Sequence, residues 1–174
     1  MSPDLVLLGC ELKDIAFIDL EASGLSARSW PIEAGWCFVD GAAQAMLIRP
    51  DETWSLDDWD EDAQALHGVA HETLLKKGAP VKEVCEKLNA ALAGKQVFSD
   101  APDWDGFWLY RLFQAAKLRQ QFVLSDLALC FSSASPEEMD AYIEKADRIA
   151  PRTHRAIPDA LHMRALYELT ASQG

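Results

Sequence analysis

Two acidic residues, two positions apart, follow a short apolar run early in the chain. Asp19 and Glu21 come directly after residues 15–18, and alternation along a strand puts both side chains on one face. Carboxylates this close repel each other unless a cation lies between them. Gly24, a few residues on, permits close backbone approach of a ligand. An isolated Asp-x-Glu is more often a solvated strand end, so the pair alone does not predict a metal site.

A second group of acids lies where an apolar strand meets a helix. Asp100, Asp103 and Asp105 stand between residues 97–98 and the helix that we expect to begin at Trp104. A carboxylate at a helix start is often a cap or a partner of the helix dipole, which suits Asp103. Asp105 is expected to point back towards the sheet.

The third group joins a histidine to an acid. His154 lies in a predicted loop, and Asp159 follows five residues later in the first turn of a helix, so both can reach one site. A single histidine is more often a surface residue than a base, and Asp159 could be an ordinary helix-start acid. His67, His71 and His162 are weaker candidates for a base, and His162 is the next to test.

The apolar patterns predict the elements that must position these groups. Continuous or alternating apolar runs predict strands, and apolar residues at helical spacing predict helices, one of them capped by Ser135. The predicted strands are 14–20, 32–39, 44–48, 97–98 and 122–124, and the predicted helices are 81–92, 104–118, 136–149 and 158–169. Residues 51–62, with seven acids and no base, are expected to be a loop that runs into a helix. This order predicts a mixed α/β sheet in one domain over residues 1–174.

Composition excludes several classes of protein. Of 174 residues, 49 % are apolar and 25 % charged, which is typical of a globular domain and excludes a disordered chain. No apolar run is long enough to span a bilayer. The net charge of −12 excludes a protein that coats nucleic acid through a uniformly basic surface. Clustered carboxylates could instead hold metal cations, which would provide positive charge locally. Four cysteines are spread singly, which favours reduced thiols and a cytoplasmic location: Cys10, Cys37, Cys85 and Cys130.

Taken together, the three groups resemble a known family. The runs that carry the resemblance are FIDLEASGL (17–25), IEAG (32–35), LHGV (66–69), WD (104–105) and HRAIPD (154–159). In order and spacing, over residues 14–169, they resemble the DEDDh 3′→5′ exonucleases, the superfamily of the proofreading subunit, ribonuclease T and oligoribonuclease. Two departures are Ala22, where the family often has threonine, and Ser99-Asp100, where it usually has His-Asn. The fold that this resemblance implies is ribonuclease H-like α/β, with a five-stranded mixed sheet flanked by helices.

The resemblance implies a catalytic set and its metals. Asp19, Glu21 and Asp159 would bind a first Mg²⁺ or Mn²⁺, while Asp19 would bridge to a second ion that Asp105 holds largely through water. Two such ions activate water and stabilise the leaving oxygen. Asp103 or Asp100 remains an alternative to Asp105. His154 would be the general base, since a histidine titrates near neutral pH.

The resemblance also implies a substrate and the residues that contact it. The substrate would be a single-stranded or short DNA or RNA 3′ end, hydrolysed to nucleoside 5′-monophosphates. The backbone after Glu21, at Ala22, Ser23 and Gly24, would hold the 3′-terminal nucleotide. Leu25, Leu66 and His67 would pack on its base. Leu66 could instead be core. Trp54 and Trp59 could stack on bases or pack within their loop, and Trp104 could shape the pocket.

Two alternatives to a free-standing enzyme stay open, namely a non-catalytic nucleic-acid-binding module and a polymerase-associated accessory. No membrane partner is expected, and a homodimer is left open. Four arginines are concentrated near the third group, at 148, 152, 155 and 164, where they could hold one to three phosphates. They could instead pair with Glu144, Asp147 and Glu168. The acidic remainder of the surface predicts preference for short single strands over long duplex, with a shallow salt dependence.

Overall fold

A five-stranded mixed sheet forms the centre of the protein. The computed structural model describes residues 14–131 and 134–171. The strands are β1 (Ile15–Ala22), β2 (Pro31–Phe38), β3 (Ala43–Leu47), β4 (Gln96–Ser99) and β5 (Leu124–Asp126). Their order is β3-β2-β1-β4-β5, with antiparallel pairing from β3 to β1 and parallel pairing from β1 to β5. The predicted fold class, α/β with five mixed strands, is confirmed.

Helices cover both faces of this sheet. They are α1 (Glu61–His67), α2 (His71–Lys77), α3 (Val81–Leu92), α4 (Pro102–Ala116), α5 (Pro136–Ile149) and α6 (Ala156–Ala171). One core joins β1 and β2 to α3 and α4, and a second joins the opposite face of β1 to α5 and α6. Along β1, Ala16 and Ile18 face the first core, whereas Ile15 and Phe17 face the second. Because side chains alternate, Asp19 and Glu21 continue the series that faces α6.

Several predicted elements occur at their expected positions. The helix at 81–92 has the predicted bounds, and so does α5, which Ser135 begins with a reciprocal capping box to Glu138. The acidic segment 51–62 is a loop with a short 3₁₀ turn that runs into α1, as predicted, and Asp60 caps that helix.

Other elements differ from the prediction. Helix α2 was not predicted, since its seven residues are too few for a clear apolar period. The last strand lies at Leu124–Asp126 rather than at 122–124, because the Phe122 ring packs on Phe113 at 6.2 Å and belongs to the core beneath α4. Helices α4 and α6 each begin two residues earlier than predicted.

The described cysteines agree with reduced thiols. Cys37, Cys85 and Cys130 form no disulfide, while Cys10 lies outside the described residues. Within the described ranges, no helix combines the length and apolar character that crossing a bilayer demands.

Candidate active site

The end of β1 supplies two of the carboxylates. Asp19 pairs with Gly35 across the antiparallel β1–β2 ladder, and Glu21 pairs with Glu33. Both acids are half-buried, on the face of the strand that α6 covers. A register irregularity after Glu21 ends the regular ladder, so the strand stops where its acids emerge.

Helix α4 supplies a third carboxylate, which is fully buried. Asp105 is 1 % exposed and accepts hydrogen bonds from the Leu20 backbone N–H, at 3.2 Å, and from the Ser99 hydroxyl. The Ser99 oxygen in turn accepts from the Ala101 N–H at 3.0 Å. These bonds tie Asp105 to the ends of β1 and β4. Asp103, in the first turn of the same helix, is exposed to solvent.

Helix α6 supplies a fourth carboxylate and fixes the preceding loop. Asp159 is 7 % exposed and accepts a hydrogen bond from the Thr153 N–H at 3.0 Å. The next residue, His154, is exposed and has a left-handed backbone with φ 54°. Such a conformation is uncommon for a residue other than glycine and persists only where its surroundings impose it. The hydrogen bond from the neighbouring Thr153 to Asp159 is one such constraint on the backbone of this loop.

These carboxylates meet in two overlapping groups. Asp19, Glu21 and Asp159 form one group, and Asp19, Asp100 and Asp105 form the other, with the oxygens inside each group no more than 4.8 Å apart. Asp19 belongs to both. Its Oδ2 is buried and has no hydrogen-bond partner among the described residues. Of the alternatives to Asp105, therefore, Asp100 joins it beside Asp19, whereas Asp103 belongs to neither group.

The groups carry strong electrostatic repulsion. Burial raises the pKa of Asp19 well above its ordinary value, and the neighbouring Asp105, Glu21 and Asp159 raise it further. Burial, and then Asp159, raises the pKa of Glu21 to about 8, and burial raises that of Asp105 to about 7 despite the Ser99 hydrogen bond. The candidate metal-ligand atoms in both groups are carboxylate oxygens, and oxygen is the donor atom that Mg²⁺ and Mn²⁺ prefer. The residues present therefore fit hard divalent cations, which would relieve the repulsion.

A partly buried ion pair joins β2 to the start of α6. Glu33 is 4 % exposed and accepts from Arg155 Nε at 2.8 Å and Nη2 at 2.7 Å, and from the Ala156 N–H at 3.2 Å. The hydrogen bonds to Glu33 raise the pKa of Arg155. Sequence reasoning noted both residues but missed the pair. A charged residue in an otherwise apolar strand was the available signal, since buried acids nearly always have a partner.

The predicted substrate-contacting segment is partly buried. Ala22, Ser23 and Gly24 are buried, whereas Leu25 is 71 % exposed. Ser23 exchanges two hydrogen bonds with the Trp30 backbone, through its own N–H and through its hydroxyl oxygen. A Cβ on Gly24 would lie 2.9 Å from Cβ of Asp60, so the space beside this glycine is filled by the cap of α1.

Leu66 and His67, at the end of α1, differ in exposure. Leu66 is 61 % exposed, so the interpretation of it as core is wrong. His67 is buried, and its Nδ1 accepts from the Val69 N–H at 3.1 Å, which leaves the proton on Nε2. That Nε2 is buried and has no hydrogen-bond partner among the described residues. Burial, and then Arg155, lowers the pKa of His67.

The tryptophans mostly build structure. Trp54 stacks on Trp30 at 5.6 Å and Trp59 contacts the same ring at 5.5 Å, which favours packing within their loop. Trp104 is 38 % exposed and stacks at 5.4 Å on the buried Trp108, so it can line a pocket.

His162, the alternative base, is 1 % exposed and hydrogen-bonded through Nδ1 to the Ala150 carbonyl at 2.9 Å. That partner lies at the end of α5, and the metal-competent groups among the described residues contain no histidine.

Solved structures of exonuclease I have a fold similar to that of this chain. A zinc-bound complex of E. coli exonuclease I with single-stranded DNA is similar at TM-score 0.71 and 12 % identity, over 94 % of this chain and 41 % of that one. A complex of the same E. coli enzyme with a dT13 oligonucleotide is similar at TM-score 0.67 and 13 % identity, and the match covers 89 % of this chain and 40 % of that one. An apo structure of exonuclease I is similar at TM-score 0.69 and 14 % identity, and the match covers 93 % of this chain and 42 % of that one. No protein-family model and no curated protein matches the sequence.

The fold is thus the ribonuclease H-like α/β fold found in exonuclease I. The chain spans about two fifths of the length of those proteins.

Proposed function

We propose that this chain is a metal-dependent 3′→5′ exonuclease of the DEDDh type, working as one domain over residues 1–174. The observation that carries the proposal is the pair of carboxylate groups that share Asp19 at the end of β1. Their oxygens come from β1, from Asp100 in the β4–α4 connection, and from α4 and α6, and these segments are spread along the sequence. In the metal-free protein these carboxylates repel one another, and bound cations would remove that repulsion.

Each group would hold one Mg²⁺ or Mn²⁺. Asp19, Glu21 and Asp159 would bind the first ion, and Asp19 with Asp105 would bind the second. Asp100 lies within reach of the second ion, at the position where the sequence departs from the DEDDh pattern. When bound, two such ions supply a hydroxide nucleophile at neutral pH and stabilise charge on the leaving oxygen.

The remaining chemistry belongs to His154. Its imidazole would accept the proton of the attacking water, a role that requires an accessible ring close to the carboxylates. The exposed position of His154, next to the Thr153–Asp159 hydrogen bond, supports this role. Solvent access would then let the ring release the proton after each turnover.

The substrate would be a single-stranded DNA or RNA 3′ end, and the product a nucleoside 5′-monophosphate. Leu25 and Leu66 are large apolar side chains left exposed, and they would pack on the terminal base. The unpartnered Nε2–H of His67 would donate a hydrogen bond to the bound nucleotide. The exonuclease I structures, which hold single-stranded oligonucleotides, are consistent with this class of substrate.

The test is nucleotide release from matched 5′-labelled DNA and RNA strands with Mg²⁺ or Mn²⁺. We expect a ladder that shortens from the 3′ end and disappears with EDTA. Asp105→Asn should abolish nucleotide release. Asp103→Asn, which changes an exposed acid in the same helical turn of α4, should not. A circular single strand should stay intact. Binding without release would instead favour a non-catalytic module, and cutting of the circle would contradict an exonuclease.

A further inference from the structure

The four arginines near the third group have different partners. Arg148 pairs with Glu144 along α5, and Arg164 lies near Glu168 along α6 and donates to backbone carbonyls of the β2–β3 turn. Arg155 spends its Nε and Nη2 on Glu33. Arg148 and Arg164 therefore lie beside Glu144 and Glu168, as the interpretation of them as paired surface residues expects, whereas Arg155 pairs with Glu33 instead. All three of these partners lie outside the two carboxylate groups.

Arg152 is the exception. Its Nη2 lies 2.5 Å from Oδ2 of Asp100, which belongs to the carboxylate group of Asp19 and Asp105. The guanidinium thus stands at the edge of the candidate metal centre. Its side chain is 43 % exposed, and this is its one described contact. A guanidinium has five N–H donors, so one contact with Asp100 does not use up the capacity of Arg152 to donate.

We propose that Arg152 binds a phosphate of the substrate, and that Asp100 positions it for this contact. The proposal rests on the exonuclease function. A planar guanidinium suits two oxygens of one phosphate, and Arg155 cannot offer that edge because Glu33 occupies it. On a chain of net charge −12, a polyanion needs such a local cation beside the metals. Asp100 stands where the DEDDh family usually has asparagine. Its ion pair holds the long Arg152 side chain at the site and so reduces the conformational entropy that this side chain loses when the phosphate binds.

The first measurement is binding of a short fluorescent single strand to the Asp19→Asn protein, which binds without turnover. Adding Arg152→Gln should weaken this binding about 5- to 30-fold. Arg148→Gln, which removes an exposed arginine from α5, is the matched control and should change it less than about 2-fold. Asp100→Asn should weaken binding by a smaller factor, because the arginine remains but is held less firmly.

The second measurement identifies the contact. A neutral methylphosphonate replaces each of the last three phosphates of the strand in turn. At one position it should weaken binding to the protein with Arg152 and have no further effect on Arg152→Gln, since the interaction is already lost.

Two results would overturn the proposal. One is equal binding by Arg152→Gln and Arg148→Gln. The other is tighter Mn²⁺ binding by Arg152→Gln with unchanged strand binding, which would make the arginine only a counter-ion for Asp100. Either result leaves metal-dependent nucleotide release by the wild-type chain intact. Loss of the exonuclease function itself would appear as no release by the wild type.

Discussion

Without metal, the protein should lose stability as the pH rises, and Glu21 should cause a large part of that loss. The pKa of Glu21 is about 8 in the fold, against 4.5 for an ordinary glutamate. Between these values the folded protein keeps a proton that the unfolded chain has released. The free energy of unfolding therefore falls as pH rises through this window and levels off above it. Glu21→Gln carries no charge at any pH and should remove this contribution.

The size of the effect follows from the shift. A change from 4.5 to about 8 corresponds to at most about 5 kcal/mol, at 1.36 kcal/mol for each pH unit. Glu21 is half-buried, and solvent access reduces this to about 2–3 kcal/mol. For a domain of this size the melting temperature changes by about 2–4 °C for each kcal/mol. We therefore expect Glu21→Gln to gain about 5–10 °C over the wild type between pH 5 and pH 9.

The assay is thermal or urea unfolding of EDTA-treated protein across this pH range. The quantity to compare is the difference between Glu21→Gln and wild type, because titrations elsewhere in the chain cancel in it. Glu83→Gln, at an exposed position on α3, is the matched control and should show no change in this difference with pH. Adding Mg²⁺ at 100 times its dissociation constant should stabilise the wild type by about 2.7 kcal/mol.

A constant difference between Glu21→Gln and wild type from pH 5 to pH 9 would refute the reasoning. It would mean that neither burial nor the neighbouring carboxylates raise the pKa of Glu21 in the folded protein, and the argument for cations at this site would lose its electrostatic basis.

Three further predictions concern the surroundings of the carboxylates. His154→Asn, which tolerates the left-handed backbone, should slow nucleotide release by about 10²–10⁴-fold in steady-state assays and leave Mn²⁺ affinity unchanged; an unaltered rate would move the base elsewhere. Gly35→Ala should cost about 1–3 kcal/mol in urea unfolding and reduce activity, because its Cβ would lie 2.5 Å from the Ala156 backbone carbon. Gly106→Ala, whose Cβ would meet only Leu124 at 3.9 Å, should be neutral or stabilising, and equal losses would contradict the steric argument. Glu33→Gln should cost about 1–3 kcal/mol in the free energy of unfolding, and the double variant with Arg155→Gln should cost less than the sum of the two single variants; full additivity would show that the pair does not act as a unit.

Local patterns predicted much of this fold. The bounds of α3 and α5 follow from apolar spacing and from the Ser135 cap, which act within a few residues. Strand β1 follows from its continuous apolar run, which a strand buried on both faces requires. Helix α2 and the shift of β5 could not be predicted in this way, because short elements depend on packing with distant residues such as Phe113.

The candidate site was predictable in its acids but not in its ion pairs. Asp19 and Glu21 share a face because strands alternate, and that much is local. The contact of Arg152 with Asp100 joins a loop to the end of β4, and no pattern in the sequence encodes the distance between them. The Glu33–Arg155 pair spans 122 residues and is equally non-local.

Because Asp159 lies on α6, the last described element of the chain, the carboxylate group that contains it is completed late in synthesis. Synthesis completes β1, β2 and β4 well before α6, and domains begin to fold during synthesis. Until α6 docks on β1 and β2, Asp19 and Glu21 lack Asp159, and the Ile15–Phe17 face of the sheet lacks its cover. Before that docking, the group of Asp19, Asp100 and Asp105 can already form, whereas the group of Asp19, Glu21 and Asp159 cannot. Cation affinity at the group that contains Asp159 should therefore appear only when α6 docks, so that the proposed two-metal nuclease stays inactive on the growing chain until that helix is in place.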